Sequence, residues 1–145
     1  MVKENDNKTN DIESMRLGWE EWVGLEELGI PAILAKVDTG AKTSSLHASN
    51  IERYGHKTPR VRFTVFPYPG EPHVEVNCKA DVIDERRITS SNGQTELRPI
   101  IRTRVSLGGQ SWEIDVSLTN REGMSRHMLL GRTGLPENAR IEPTV

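Results

Sequence analysis

Three stretches of this chain alternate apolar and polar residues with a period of two, and no segment sustains the 3.6-residue period of an amphipathic helix. Successive side chains of a strand point to opposite faces, so such alternation builds sheets with one buried face. Val61, Phe63 and Val65 alternate with Arg60, Arg62 and Thr64. Val74, Val76, Cys78, Ala80 and Val82 alternate with Glu75, Asn77, Lys79 and Asp81. Trp112, Ile114, Val116 and Leu118 alternate with Glu113, Asp115 and Ser117. The run Ala32–Val37 is more continuously apolar, as expected of a strand buried on both faces. Turn residues separate these segments: Pro67-Tyr68-Pro69-Gly70-Glu71-Pro72, Ser90-Ser91-Asn92-Gly93, and Gly108-Gly109 between Ile101–Leu107 and Trp112–Leu118. The pattern predicts an all-β, mostly antiparallel barrel or sandwich. One short helix is expected after Gly131, kept short by Gly134 and Pro136.

A chain of 145 residues with 34% hydrophobic content supports a single modest core. Residues 1–16 are polar and charged, which predicts a flexible tail ahead of one domain over residues 17–145. The 19 Lys and Arg against 21 Asp and Glu leave a net charge of −2, which argues against a generic nucleic-acid binder. No apolar run approaches the roughly 20 residues that a membrane-crossing helix needs, and the N-terminus lacks the apolar core of a secretion signal. With one cysteine, Cys78, no internal disulfide can form, so the expected setting is the cytoplasm.

The chemistry concentrates at Ala35-Lys36-Val37-Asp38-Thr39-Gly40-Ala41. An apolar strand running into Asp38, followed by a glycine that permits a tight turn, presents a carboxylate at a strand end. Thr39 can hold the loop by local hydrogen bonds, and Gly40 allows close backbone approach to a ligand. An ordinary turn uses the same residue types, and an Asp-Thr-Gly triplet arises by chance in about one chain of this length in fifty. Two further segments follow in the chain: Arg87–Arg98, with its polar tip at Ser90–Gly93, and Met128-Leu129-Leu130-Gly131-Arg132 followed by Leu135.

In that order the three segments resemble the retropepsin-like aspartic peptidases, over roughly Gly18 to Pro136. The resemblance implies a small closed acid-protease barrel with one short C-terminal helix. It makes Asp38 the catalytic carboxylate and Thr39, Gly40 and Ala41 its loop. Leu130, Gly131 and Arg132 become the closing motif behind that loop. Arg87–Arg98 lies where the family carries its flap, so Ser90, Ser91, Gly93, Arg98 and Arg102 are the flap and substrate candidates. A single Asp-Thr-Gly implies a homodimer that brings two copies of Asp38 together. More narrowly, Gly18-Trp19-Glu20-Glu21-Trp22-Val23, Lys36–Ala48 and Leu129–Arg132 are similar to a bacterial subgroup. That subgroup is often labelled an ATP-dependent zinc protease, and some members are linked to a ligase that adds glutamates to a ribosomal protein. It implies a peptidase acting on acidic or glutamate-rich tails, with a glutamylated ribosomal protein as partner.

Two departures stand out. The acidic residue that follows Asp-Thr-Gly-Ala in many retroviral enzymes is Lys42 here, so Arg132 needs another carboxylate partner. Gly55 to Asp84 reads as an extra hairpin. The histidines His47, His56, His73 and His127 show no metal-ligand spacing, and no Gly-rich loop ends in Gly-Lys-Ser/Thr, so neither metal nor cofactor is expected. Cys78 reads as a small core residue. Trp19, Trp22 and Trp112 read as core or interface packing, and Ser44-Ser45 as strand-end polarity. Arg86, Arg87, Arg98, Arg102 and Arg104 cluster around the flap with Glu96 as the only acid between Arg86 and Arg104, a set that suits an acidic chain. Two alternatives stay open: a non-catalytic peptide-binding module on the same fold, and a metallopeptidase as the subgroup's label says.

Overall fold

The computed structural model describes residues 15–68, 70–89, 92–120 and 126–142. In chain order its strands are β1 (Met15–Leu17), β2 (Glu20–Leu25), β3 (Ile30–Val37), β4 (Ser44–His47), β5 (Ser49–Tyr54), β6 (Arg60–Val65), β7 (Val76–Thr89), β8 (Thr95–Leu107), β9 (Gln110–Thr119), β10 (Met128–Leu130) and β11 (Ala139–Ile141). Nine of them form one sheet in the order β2-β3-β10-β4-β9-β8-β7-β6-β5, while β1 and β11 pair in parallel. The expected tail loses its last two residues to β1, where Met15 and Leu17 are buried on either side of exposed Arg16. No helix among the described residues is long and apolar enough to cross a membrane.

The all-β expectation holds, and the closed barrel needs correction. The sheet curls until β2 packs along β8, where the ladder holds a single pair, Gly24 with Ser106. The β2–β3 register shifts between Val23 and Leu25, which breaks the ladder at that seam. Gly24 suits so close a crossing, because a Cβ there would lie 2.7 Å from Ser106 Oγ. The result is a curled open sheet with a one-pair seam. The expected C-terminal helix is a single 3-10 turn over Arg132–Gly134, ended by extended Leu135 and then Pro136.

The alternating segments become β6, β7 and β9. Val61, Phe63 and Val65 are buried on β6, and Ile114, Val116 and Leu118 on β9. Val74 falls in the turn ahead of β7. The run 32–37 differs from expectation: in β3 Ile33, Ala35 and Val37 are buried while Lys36 is exposed and Leu34 only half-buried. One face alone packs on the core, because among the described residues no layer of helices covers the other face of the sheet that holds β3. Gly108 and Gly109, with φ of 60° and 83°, form the two-residue turn between β8 and β9. Leu46, Ile101, Leu118, Met128 and Leu130 are fully or almost fully buried at the centre. Each such side chain contributes about 1.5–3 kcal/mol relative to exposure.

Candidate active site

β3 delivers Asp38 to the end of a strand that is already pinned. The Val37 N–H donates to Trp19 O at 2.8 Å, and the Asp38 N–H donates to Leu130 O at 2.9 Å. Beyond Asp38 the chain folds back on the carboxylate: the Gly40 N–H donates to Asp38 Oδ1 at 3.0 Å, and the Ala41 N–H donates to Asp38 O at 3.2 Å. Asp38 is half-buried, whereas Thr39 and Gly40 are exposed, so the outer edge of this loop faces solvent.

Leu130, Gly131 and Arg132 close the loop from behind. β10 lies between β3 and β4, with Leu130 opposite Val37. A Cβ at Gly131 would sit 2.8 Å from the Thr43 carbonyl carbon and 3.0 Å from Ala41 O, so only glycine permits this crossing. The Arg132 N–H donates to Ala41 O at 2.8 Å, and the Thr133 N–H donates to Lys42 O at 3.1 Å. Among the described residues the Arg132 guanidinium meets no carboxylate: Nη1 donates to the backbone carbonyl of Thr39 at 3.1 Å. With Lys42 in place of an acid, that carbonyl is the acceptor the loop offers.

Beneath the loop runs a buried set of hydroxyls. Ser44 Oγ accepts from the Gly131 N–H at 3.0 Å. Ser117 Oγ and Ser45 Oγ lie 3.0 Å apart, and Ser117 Oγ also donates to Ser44 O at 3.2 Å. Ser44 opens β4, in keeping with strand-end polarity, yet it is 0% exposed, as is Ser117 on the polar side of the β9 alternation. Local alternation could not reveal this, because β4 and β9 meet as parallel neighbours from distant parts of the chain.

Asp38 opens onto a cleft of about 1000 Å³, whose other wall is the β7–β8 hairpin. The wall carries Arg86, Arg87, Ile88, Thr89 and Arg98, and the loop contributes Gly40, Ala41 and Lys42. The hairpin and the Asp38 loop therefore line one cleft. Ser90 and Ser91 lie outside the described residues, and Gly93 turns the tip with φ of 87°. Arg98 reaches the cleft but is 4% exposed, and its Nε donates to Glu96 at 2.8 Å. Arg102 does not reach it: it lies outside the cleft lining, with Nε donating to Asp115 at 2.9 Å. That hydrogen bond raises the Arg102 guanidinium above its ordinary range. Arg86 bonds Asp84 at 2.9 Å, an interaction that holds the Asp84 carboxyl below the usual carboxylate range.

No three His, Cys, Asp or Glu side chains gather into a metal-binding group among the described residues. The fold does bring together one histidine pair that spacing did not suggest, with the His47 and His127 rings 5.2 Å apart. His127 Nδ1 is already committed, donating to Phe66 O at 2.5 Å. Among the described residues this pair gains no third His, Cys, Asp or Glu of the kind a zinc centre uses.

Comparison with known proteins places this geometry. Residues 16–145 match the family described as RimB-like, retropepsin-like aspartic endopeptidase RimB. A protein from Shewanella pealeana, named a probable alpha-L-glutamate ligase, is 41% identical over 129 residues, covering 88% of this chain and 28% of that protein. One of the same name from Desulfotalea psychrophila is 42% identical over 138 residues, covering 94% of this chain and 30% of that one. The chain thus spans less than a third of the length of these relatives. A crystal structure of a Legionella pneumophila protein of unknown function shares 30% identity with a TM-score of 0.72, covering 90% of this chain and 94% of that one. Strand into Asp-Thr-Gly, crossing strand behind it, hairpin in front and a family match over nearly the whole chain give one conclusion: this chain belongs to the RimB-like family of retropepsin-like aspartic endopeptidases.

Proposed function

We propose that the chain is an aspartic endopeptidase that works as a homodimer and cleaves acidic, glutamate-rich tails. The observation that carries this is the position of Asp38, held by its own loop at the floor of a cleft walled by arginines. One carboxylate is not enough for the chemistry. The exposed edge at Thr39 and Gly40 supports a second copy of the loop meeting the first across a two-fold axis. Two carboxylates so close cannot both ionise cheaply and share one proton. The ionised Asp38 takes a proton from water as the water oxygen attacks the peptide carbonyl carbon. The protonated Asp38 of the second copy gives its proton to the carbonyl oxygen. When the tetrahedral intermediate collapses, the C–N bond breaks and the amine leaves with a proton from the carboxyl pair.

The relatives named glutamate ligases support the substrate class, since a hydrolase of glutamate tails would undo what such a ligase makes. The test is hydrolysis of a glutamate-tailed peptide by the wild type and by Asp38→Asn. The variant should fold normally and lose about a thousandfold or more in turnover. Near-wild-type turnover would remove Asp38 from the chemistry. Tight peptide binding without cleavage by the wild type would make the chain a binding module.

A further inference from the structure

The arginines around the cleft are not equivalent once their partners are known. Arg86 is neutralised by Asp84 and lies 3.7 Å from Asp115. Arg98 is neutralised by Glu96, and Arg102 by Asp115. Arg104 lies outside the cleft lining, with Ser111 and Glu113 beside it. Each of the first three would have to give up a carboxylate of its own chain before binding one from a substrate. Lys42 and Arg87 differ. Both line the cleft and both are exposed. Neither side chain has an ion-pair partner among the described residues.

They also border the cleft from two sides. Lys42 stands four residues beyond Asp38, where the loop leaves the floor, and Arg87 stands on the hairpin arm opposite Leu97. A peptide stretched between floor and hairpin points successive side chains alternately to the two sides. We propose that Lys42 and Arg87 are the specificity-determining cations of this site, each taking the carboxylate of one of two neighbouring acidic residues. Lys42 binds as a point charge, while Arg87 can fork around both carboxylate oxygens. A run of acidic residues engages both cations, whereas acids at every second position engage only one. This rests on the reading of the cleft as a substrate site for acidic peptides.

The experiment uses peptides of equal length bearing a Glu run, alternating Glu-Gln, a Gln run or a Lys run, each cleaved by the full chain and its variants. The wild type should prefer the Glu run over alternating Glu-Gln, and that over Gln, with the preference shrinking as salt rises. Lys42→Gln and Arg87→Gln should each lower the Glu-to-Gln ratio of kcat/KM by about fivefold, the scale of a solvent-exposed charge pair. Lys42→Glu combined with Arg87→Glu should reverse the preference toward the Lys run, a gain that misfolding cannot produce. Arg104→Gln, outside the cleft, should keep the wild-type ratio. Cleavage with a ratio unmoved by the Lys42 and Arg87 variants overturns the assignment and leaves the peptidase standing. If the wild type cleaves nothing, the peptidase fails, and anisotropy titration of the labelled Glu-run peptide decides the cations separately. Affinity lowered in both variants upholds them, and unchanged affinity overturns them.

Discussion

Cys78 lies on the apolar face of β7, 3% exposed, and its thiol donates to Leu28 O at 3.4 Å. Burial pushes the thiol from its ordinary 9.0 up to about 11. The folded state therefore holds the proton more tightly than the unfolded chain does. The stability this contributes is complete below pH 9 and is lost as pH rises toward 11. Urea midpoints measured from pH 8 upward should fall faster for the wild type than for Cys78→Ala above pH 9, and parallel curves would contradict the buried thiol. The same burial keeps the thiolate scarce, so Cys78 serves packing rather than nucleophilic chemistry. Sequence alone placed Cys78 on the apolar face through the alternation of β7. It could not rank the cations, because Arg98 and Arg87 look alike until Glu96 is seen bonded to one and, among the described residues, no carboxylate to the other.

β10 is three residues long, yet it holds the site together. It pairs in parallel with β3 and antiparallel with β4, so the Asp38 loop is clamped between strands that leave and re-enter the core. Its exit at Gly131 is where the backbones come closest. Gly131→Ala would place a methyl 2.9 Å from Thr43 O, and backbone cannot move aside as a side chain can. The variant should lose about 1–3 kcal/mol, as overpacked cores do, read as a lower urea midpoint with an unchanged slope. A midpoint equal to the wild type would mean that the crossing is looser than it looks. The β7–β8 hairpin was legible from turn residues and spacing. Its arms are tied by Arg86 and Arg102 to the shared Asp115 of β9, a strand the local pattern could not connect to it.

One chain supplies one Asp38, so the proposed activity belongs to the pair. Specific activity per subunit should fall on dilution through the dimer dissociation constant and recover on concentration. Sedimentation should show twice the chain mass of 16.3 kDa wherever peptide is cleaved. A sedimenting monomer that cleaves peptide at full rate would contradict the shared site. Lys42 bears on this as well, because it stands where a neighbouring acid would otherwise engage Arg132. The Arg132 guanidinium instead braces Thr39 O, on the exposed edge that the second copy would approach.

The sequence by itself determined the all-β class, the positions of the tight turns and the Asp-Thr-Gly loop. These are written in side chains two residues apart or in consecutive turn residues, so a local pattern suffices to read them. Tertiary structure decided the one-pair seam between β2 and β8, the burial of Ser44 and Ser117, and the carboxylate each arginine meets. Arg102 faces Asp115 only because the β8–β9 register places them opposite, 13 residues apart in the chain. Charge partners and buried hydroxyls are chosen by register and sheet order, which no local periodicity encodes.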